Sequence, residues 1–392
     1  MSLTNPSSAP VPLDSRIPAL DLLRGLALLG IYLSIIHSFN GSILYGSAAP
    51  SSEFDKFLGG LQSLFVNRRF IGMLSLLFGI GMAIQQLNFR EKGIPFTGYF
   101  LRRMGILAIF GLINTTFYFN GEILLVYAVF GTVIYALSKL PKTILWVLAG
   151  LTFFLLGELF EAFVRDDFIE WFKWFPEQYP AKAVKTIYLG SSLGEMIPLR
   201  WLEYAYIYTD NNFHMSMSFA MILSGYLIGV QGWHIRFIEN LERYKTAFTL
   251  AASYTALFGL FGIGTKQTSF ILAYDPIGYP FYAIFLLSSM FTYIYAACWF
   301  CCKTAGEGFI SSTLIRNGRF ALTLYMGGAL VYSFIFYGYG LGLFMKYGNA
   351  IQSAIALGVY VTFSLAAYLW KKKFKRGPLE WLLRSGSYGV KL

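Results

Sequence analysis

Residues 18–38 read PALDLLRGLALLGIYLSIIHS. The stretch is long enough to cross a bilayer, which takes about 20 apolar residues. It also carries Asp21 and Arg24, which no lipid-facing helix tolerates without a partner. Their i, i+3 spacing puts them on one helix face, where they can pair. The first span therefore faces protein on at least one side, and a bundle has to surround it.

The rest of the chain supplies that bundle. Of 392 residues, 56% are hydrophobic and 13% charged, against roughly 25% charged in an average soluble domain. Further apolar segments lie at about 70–88, 98–118, 121–138, 143–163, 213–231, 246–264, 278–301, 320–343 and 350–370. Lipid offers no partner to unpaired backbone groups, so each must be a helix. The reading is an all-α, multi-pass transmembrane helix bundle of about ten spans. It divides into a leader at 1–16, an N-terminal bundle at 17–212 with long outer loops, and a C-terminal region at 213–392 with a basic tail.

The formal charge is +11. Basic excess can mark a nucleic-acid binder, but here the charge sits in short clusters between apolar runs, which fits inner-face loops better than a nucleic-acid groove. With the N-terminus inside, inner segments hold twenty Lys and Arg and outer segments ten. That asymmetry predicts both termini on the cytoplasmic side of the membrane. A cleaved signal peptide, with Gly25–Ile36 as its apolar core and Gly46-Ser47-Ala48-Ala49 as its cleavage site, is the rival reading; Asp21 and Arg24 inside the apolar run argue against it. Cys298, Cys301 and Cys302 cluster at one helix end and imply no disulfide framework. Cys298-x-x-Cys301 has metal or redox spacing, but no second Cys/His pair accompanies it, so no metal site is read.

Several polar residues carry two readings each. Arg24 either binds an anionic substrate group or, with Asp21, anchors the helix end. His37 lies about 20 Å further along the helix and about 140° round from Arg24. It is either a general base at the outer end or an interfacial hydrogen-bonder. Asn114, Asn120 and Glu122 gather at the next outer turn. Glu122 either caps a helix start or acts as acid, base or partner to His37. Arg68 and Arg69 precede the second span, and either snorkel or hold an anionic acceptor. Arg319 and Thr323 are spaced i, i+4 at the start of the ninth span, as a phosphate site or a basic anchor. Phe336–Phe344, with three alternate glycines, reads as an outer turn. Glu380 would dock the last helix against a basic neighbour, and the tail from Lys371 suits anionic lipid. The loop at 164–212 carries both charge signs with Trp171, Trp174 and Trp201, and reads as packing on the outer surface. Phe168–Phe175 would be an interfacial helix.

These same pieces carry a resemblance. Arg16-x4-Asp21-x2-Arg24-Gly25, Ser75–Gly81, Gly121–Leu124 with Tyr127, Gly318-Arg319 with Thr323, Phe336–Gly342 and Gly377–Trp381 occur in the order found in the bacterial YeiB-like family of inner-membrane proteins. That family is distantly similar to membrane acyltransferases, including heparan-alpha-glucosaminide N-acetyltransferase and bacterial glycan O-acyltransferases. The resemblance implies an acyl group moving from cytoplasmic acyl-CoA, as donor substrate rather than firmly bound cofactor, to an extracytoplasmic glycan or lipid acceptor. Arg24 would match the first-helix arginine of that broader set. In this chain Ile35 falls on the Arg24 face and His37 is turned away from it, and Asn114 stands where the YeiB-like pattern often has His. A transporter or lipid-handling protein without chemistry is the alternative.

Overall fold

The computed structural model describes residues 17–42, 45–47, 52–156, 177–190, 192–210, 212–264 and 278–389. The leader, Ala48 and Ala49 of the proposed cleavage site, and Phe168–Phe175 lie outside the described residues, while Gly46 and Ser47 of that site are described.

The described chain is helical apart from one short ladder. Helix α1 (Pro18–Phe39) leads into β1 (Gly41–Ser42) and β2 (Gly46–Ser47), which pair antiparallel with Gly41 opposite Ser47. Then come α2 (Glu53–Phe65), α3 (Arg69–Glu91), α4 (Phe96–Phe117), α5 (Leu124–Leu137) and α6 (Lys142–Leu151), the last continued by a π-helical turn to Leu156. Next are α7 (Ala181–Leu189), α8 (Leu193–Asp210), α9 (Asn212–Val230), α10 (Trp233–Glu239) and α11 (Lys245–Gly264). The chain closes with α12 (Gly278–Lys303), α13 (Phe309–Arg319), α14 (Ala321–Phe336), α15 (Asn349–Lys371) and α16 (Pro378–Tyr388).

Each of the ten expected segments contains a helix, but the segments are not equivalent. By length and composition six helical stretches can cross a bilayer: Pro18–Phe39, Glu53–Glu91, Phe96–Phe117, Leu241–Ile263, Pro280–Lys303 and Asn349–Lys371. Two bent pairs raise the number to eight: Met215–Val230 with Trp233–Glu239 at 75°, and Phe309–Arg319 with Ala321–Phe336 at 84°. The remaining two expected spans are shorter apolar helices, Leu124–Leu137 and Lys142–Phe154. At 1.5 Å per residue, α5 reaches about 21 Å, less than a hydrocarbon core of about 30 Å.

Helix α1 is the central post, with 72% of its most apolar window buried, whereas the Leu241–Ile263 segment has 17% buried and turns Leu250, Leu257 and Leu260 outward. The contrast separates a protein-facing helix from a lipid-facing one. Two glycine contacts set the tightest crossings. A Cβ on Gly25 would strike the Leu314 carbonyl, and one on Gly318 the Asp21 carbonyl, so α1 and α13 meet backbone to backbone. Gly79 and Gly225 do the same for α3 and α9. Small residues at such points allow the close approach that drives helix association in lipid.

The long connections are structured. Residues 39–69 contain the β1–β2 ladder and α2, and the described part of 164–212 contains α7 and α8. The helix expected over 320–343 ends at Phe336, and Tyr337 and Phe344 in the loop beyond it are fully buried.

Candidate functional site

Polar side chains gather at the two ends of α1. At the Asp21 end, the close α1–α13 crossing brings a third charge to the pair read from the sequence. Asp21 is buried; its Oδ1 accepts from Arg24 Nη1 and its Oδ2 from Arg319 Nε, each at 3.0 Å. The two arginine side chains remain 28% and 29% exposed. One carboxylate thus serves two guanidinium groups. The cluster keeps a net positive charge and N–H donors that these bonds do not use. Gly81 of α3 lies beside Arg24 Nη2, where a side chain would crowd it.

Arg319 and Thr323 do not share a helix face. The chain breaks at Phe320, and α14 leaves α13 at 84°. Thr323 turns to Glu380 instead, donating its hydroxyl to Oε2 at 2.5 Å. The Leu322 and Thr323 amides donate to Glu380 Oε1 at 2.7 and 3.0 Å. Glu380 therefore docks α16 by capping the α14 N-terminus, rather than by pairing with a basic neighbour. Burial raises its pKa, and the bonds from Thr323 and Leu322 oppose the shift.

At the far end of α1, His37 Nε2 sits 2.8 Å from Gln62 Oε1. Gln62 Nε2 donates to Ser353 Oγ at 2.9 Å, so its carbonyl oxygen is the acceptor for the ring. That arrangement places the proton on Nε2 and leaves the Nδ1 lone pair as the basic position. Glu122 is not the histidine's hydrogen-bond partner. In the α4–α5 turn it accepts from Asn114 Nδ2, from the Leu124 amide and from Tyr325 Oη at 3.3 Å. The bond from Leu124 N is the expected cap on α5; those from Asn114 and Tyr325 join α4 and α14 to the same carboxylate.

Arg69 is fully buried, so it neither snorkels nor presents itself to solvent. Its Nη1 donates to the Ser63 and Asn67 carbonyls at 3.0 and 2.8 Å and its Nε to Ser289 Oγ at 3.3 Å, while the guanidinium lies 4.7 Å from the Phe285 ring centre. The Ser63 carbonyl belongs to the last turn of α2, the negative end of that helix, which suits a cation.

Two charged residues of α8 escaped the sequence reading. Arg200 and Glu203, read as part of a surface loop, are both fully buried. Glu203 Oε2 accepts from Tyr188 Oη at 2.5 Å and Asn120 Nδ2 at 2.6 Å, and Oε1 accepts from Ser42. Burial pushes its pKa up; the bonds from Ser42, Tyr188 and Asn120 and the nearby Arg200 charge act the other way. Arg200 Nη1 donates to the Thr116 and Phe117 carbonyls, at 3.2 and 2.7 Å, closing the C-terminus of α4. A signal was present: Arg200-x-x-Glu203 has the same i, i+3 spacing as Asp21-x-x-Arg24, within a run rich in aromatic residues.

Among the described residues no group of three or more His, Cys, Asp or Glu is placed to hold a metal ion. Cys298 and Cys301 are buried free thiols and Cys302 is exposed.

Comparison with known proteins adds relatives without an assigned activity. Residues 231–390 match the model of a family described as protein of unknown function (DUF418). The chain is 28% identical to the uncharacterised protein YxaH of Bacillus subtilis, covering 97% of this chain and 96% of the relative. It is 27% identical to an uncharacterised protein encoded in the amylase 3' region of Bacillus acidopullulyticus, covering 97% and 96%. It is 25% identical to the uncharacterised protein YeiB of Escherichia coli, covering 94% and 95%. No solved structure matches.

Proposed function

The chain belongs to the YeiB-like DUF418 family, and from that premise we propose that it is a plasma-membrane acyltransferase. Acyl-CoA binds at the Asp21 end of α1 on the cytoplasmic side, and the acyl group passes to an acceptor hydroxyl at the His37 end. The observation that carries the reading is the shared carboxylate: Asp21 holds Arg24 and Arg319 together, both partly exposed, with one net positive charge and N–H donors that these bonds do not use. That arrangement suits a polyanion such as the phosphates of coenzyme A.

In this mechanism His37 Nδ1 takes the acceptor's hydroxyl proton while Gln62 fixes the ring through Nε2. The acceptor oxygen forms a bond to the thioester carbonyl carbon, and the carbon–sulfur bond breaks. The departing thiolate takes the proton back from His37, so one ester and one free thiol result. Asp21 and Thr323 act at a distance from this step. Asp21 orients both arginines, and Thr323 holds Glu380 and with it the α14 start. Arg69 ties α2 and α3 to α12, and the Asn114–Glu122 pair ties α4 to the start of α5. A transporter or lipid-handling protein is the second reading, favoured by the partition of His37 and Glu122 into separate hydrogen-bond networks.

Titration calorimetry of acetyl-CoA against the detergent-purified full chain tests the donor site. Saturable binding, weakened at least tenfold by Arg24→Ala and by Arg319→Ala, is expected. No binding, or equal binding by the variants, overturns the reading.

A further inference from the structure

Glu122 and Glu203 are both fully buried, and a single turn joins their networks. In Asn120-Gly121-Glu122, Asn120 donates to Glu203 while Glu122 accepts from Asn114. Arg200, one helical turn before Glu203, lies over the Tyr337 ring at 4.9 Å, and that ring stacks on Tyr188 at 4.8 Å between centres. The group is thus one contiguous cluster contributed by α4, the α4–α5 turn, α7, α8 and the loop after α14.

Four buried atoms in this cluster have no hydrogen-bond partner: Asn114 Oδ1, Asn120 Oδ1, Arg200 Nε and Tyr337 Oη. Each such group bears an uncompensated desolvation cost while it stays unpaired. Their chemistry is mixed. The two amide oxygens accept, Arg200 Nε–H donates, and a tyrosine hydroxyl does both. A metal cation could use only the acceptors and would meet the Arg200 charge. An anion could use only the donors and would meet Glu122 and Glu203. Neutral hydroxyl groups donate and accept at once, and several on one small framework match the set. The stacked Tyr188–Tyr337 and Phe39–Phe119 pairs, each 4.8 Å between centres, are fully buried beside these atoms, so a sugar ring would pack its C–H face on them only by parting the rings.

We propose that this cluster binds a neutral polyhydroxylated ligand, a polyol or sugar ring, through Asn114, Asn120, Arg200, Glu203 and Tyr337. The residues lie in or beside connecting segments, so entry requires the β1–β2 ladder or the Tyr337–Phe344 loop to part. The proposal goes beyond the acyl-CoA reading, because binding here needs neither donor nor transfer. If both hold, a hydroxyl of this ligand is the acceptor.

The test is calorimetric titration of the full chain in lipid nanodiscs with glycerol, myo-inositol, glucose, N-acetylglucosamine and trehalose. At least one should bind saturably. Tyr337→Phe, which removes a buried hydroxyl beside Arg200, should weaken that binding about fivefold, the loss of one hydrogen bond, while the ligand-free protein still melts cooperatively. Glu203→Gln should weaken it further. The proposal is overturned if none of the five binds, if Tyr337→Phe binds equally well, or if sodium or calcium chloride alone binds the site and excludes the polyol. Loss of acetyl-CoA binding with polyol binding intact would remove the donor reading and leave this one standing.

Discussion

Asp21 shows what a single residue can organise. Its carboxylate sits inside the protein and answers two cations from two helices. Removing it leaves two arginines in a tight crossing with only each other's charge. Asp21→Ala should therefore lower stability by roughly 1–3 kcal/mol, the range for losing charge-assisted bonds, as a lower melting temperature in detergent. An unchanged melting temperature would mean that solvent already satisfies both arginines. Asp21–Arg24 was legible in the sequence because an i, i+3 pair inside an apolar run has few explanations. Arg319 as a third member was not, since it lies 298 residues away from Asp21. Arg200 and Glu203 had the same spacing but sat in a stretch whose mixed charge and tryptophans suggested a surface. Composition alone does not distinguish a polar cluster buried at a bundle end from one facing water.

At the scale of elements, the α13–α14 break decides where the arginine goes. The sequence pattern Arg319-x3-Thr323 suits a continuous helix, yet the chain turns by 84° there. No proline marks the break. Its visible cause is tertiary: Gly318 lies against the Asp21 carbonyl, and Glu380 caps the new helix from α16. Gly318→Val should force the backbones apart at a cost of about 1–3 kcal/mol from overpacking. It should also release Arg319 from Asp21, so acetyl-CoA affinity should fall with stability; a variant as stable as the wild type would deny the close crossing. Glu380 adds a pH dependence. Its folded pKa is raised above the ordinary carboxylate value by burial. Its contribution is thus fully present below that value and is lost as pH rises through the folded pKa. Thermal melts across pH 4–8 should fall less steeply with rising pH in Glu380→Gln than in wild type, and identical slopes would contradict the assignment.

For the whole molecule, the apolar segments announced an all-α membrane bundle, and each of them contains a helix. Hydropathy could not separate full spans from short or bent ones. That difference depends on how neighbours cover a helix, and α5 with 14 residues is apolar enough but too short to cross alone. The excess of Lys and Arg on alternate connections predicts that both termini face the cytoplasm. Reporter fusions at residues 1 and 392 should report the same, cytoplasmic side; opposite sides would require an odd number of crossings and would undo the two-ended site. That two-ended arrangement is the central claim, and transfer of a labelled acetyl group tests it most directly. Sealed vesicles of known orientation are given labelled acetyl-CoA on the cytoplasmic face only and a polyol acceptor on the other. The account predicts label on the acceptor, sharply reduced by Arg24→Ala and abolished by His37→Ala. Equal labelling by wild type and both variants, or none by the wild type with the acceptor bound, would contradict it.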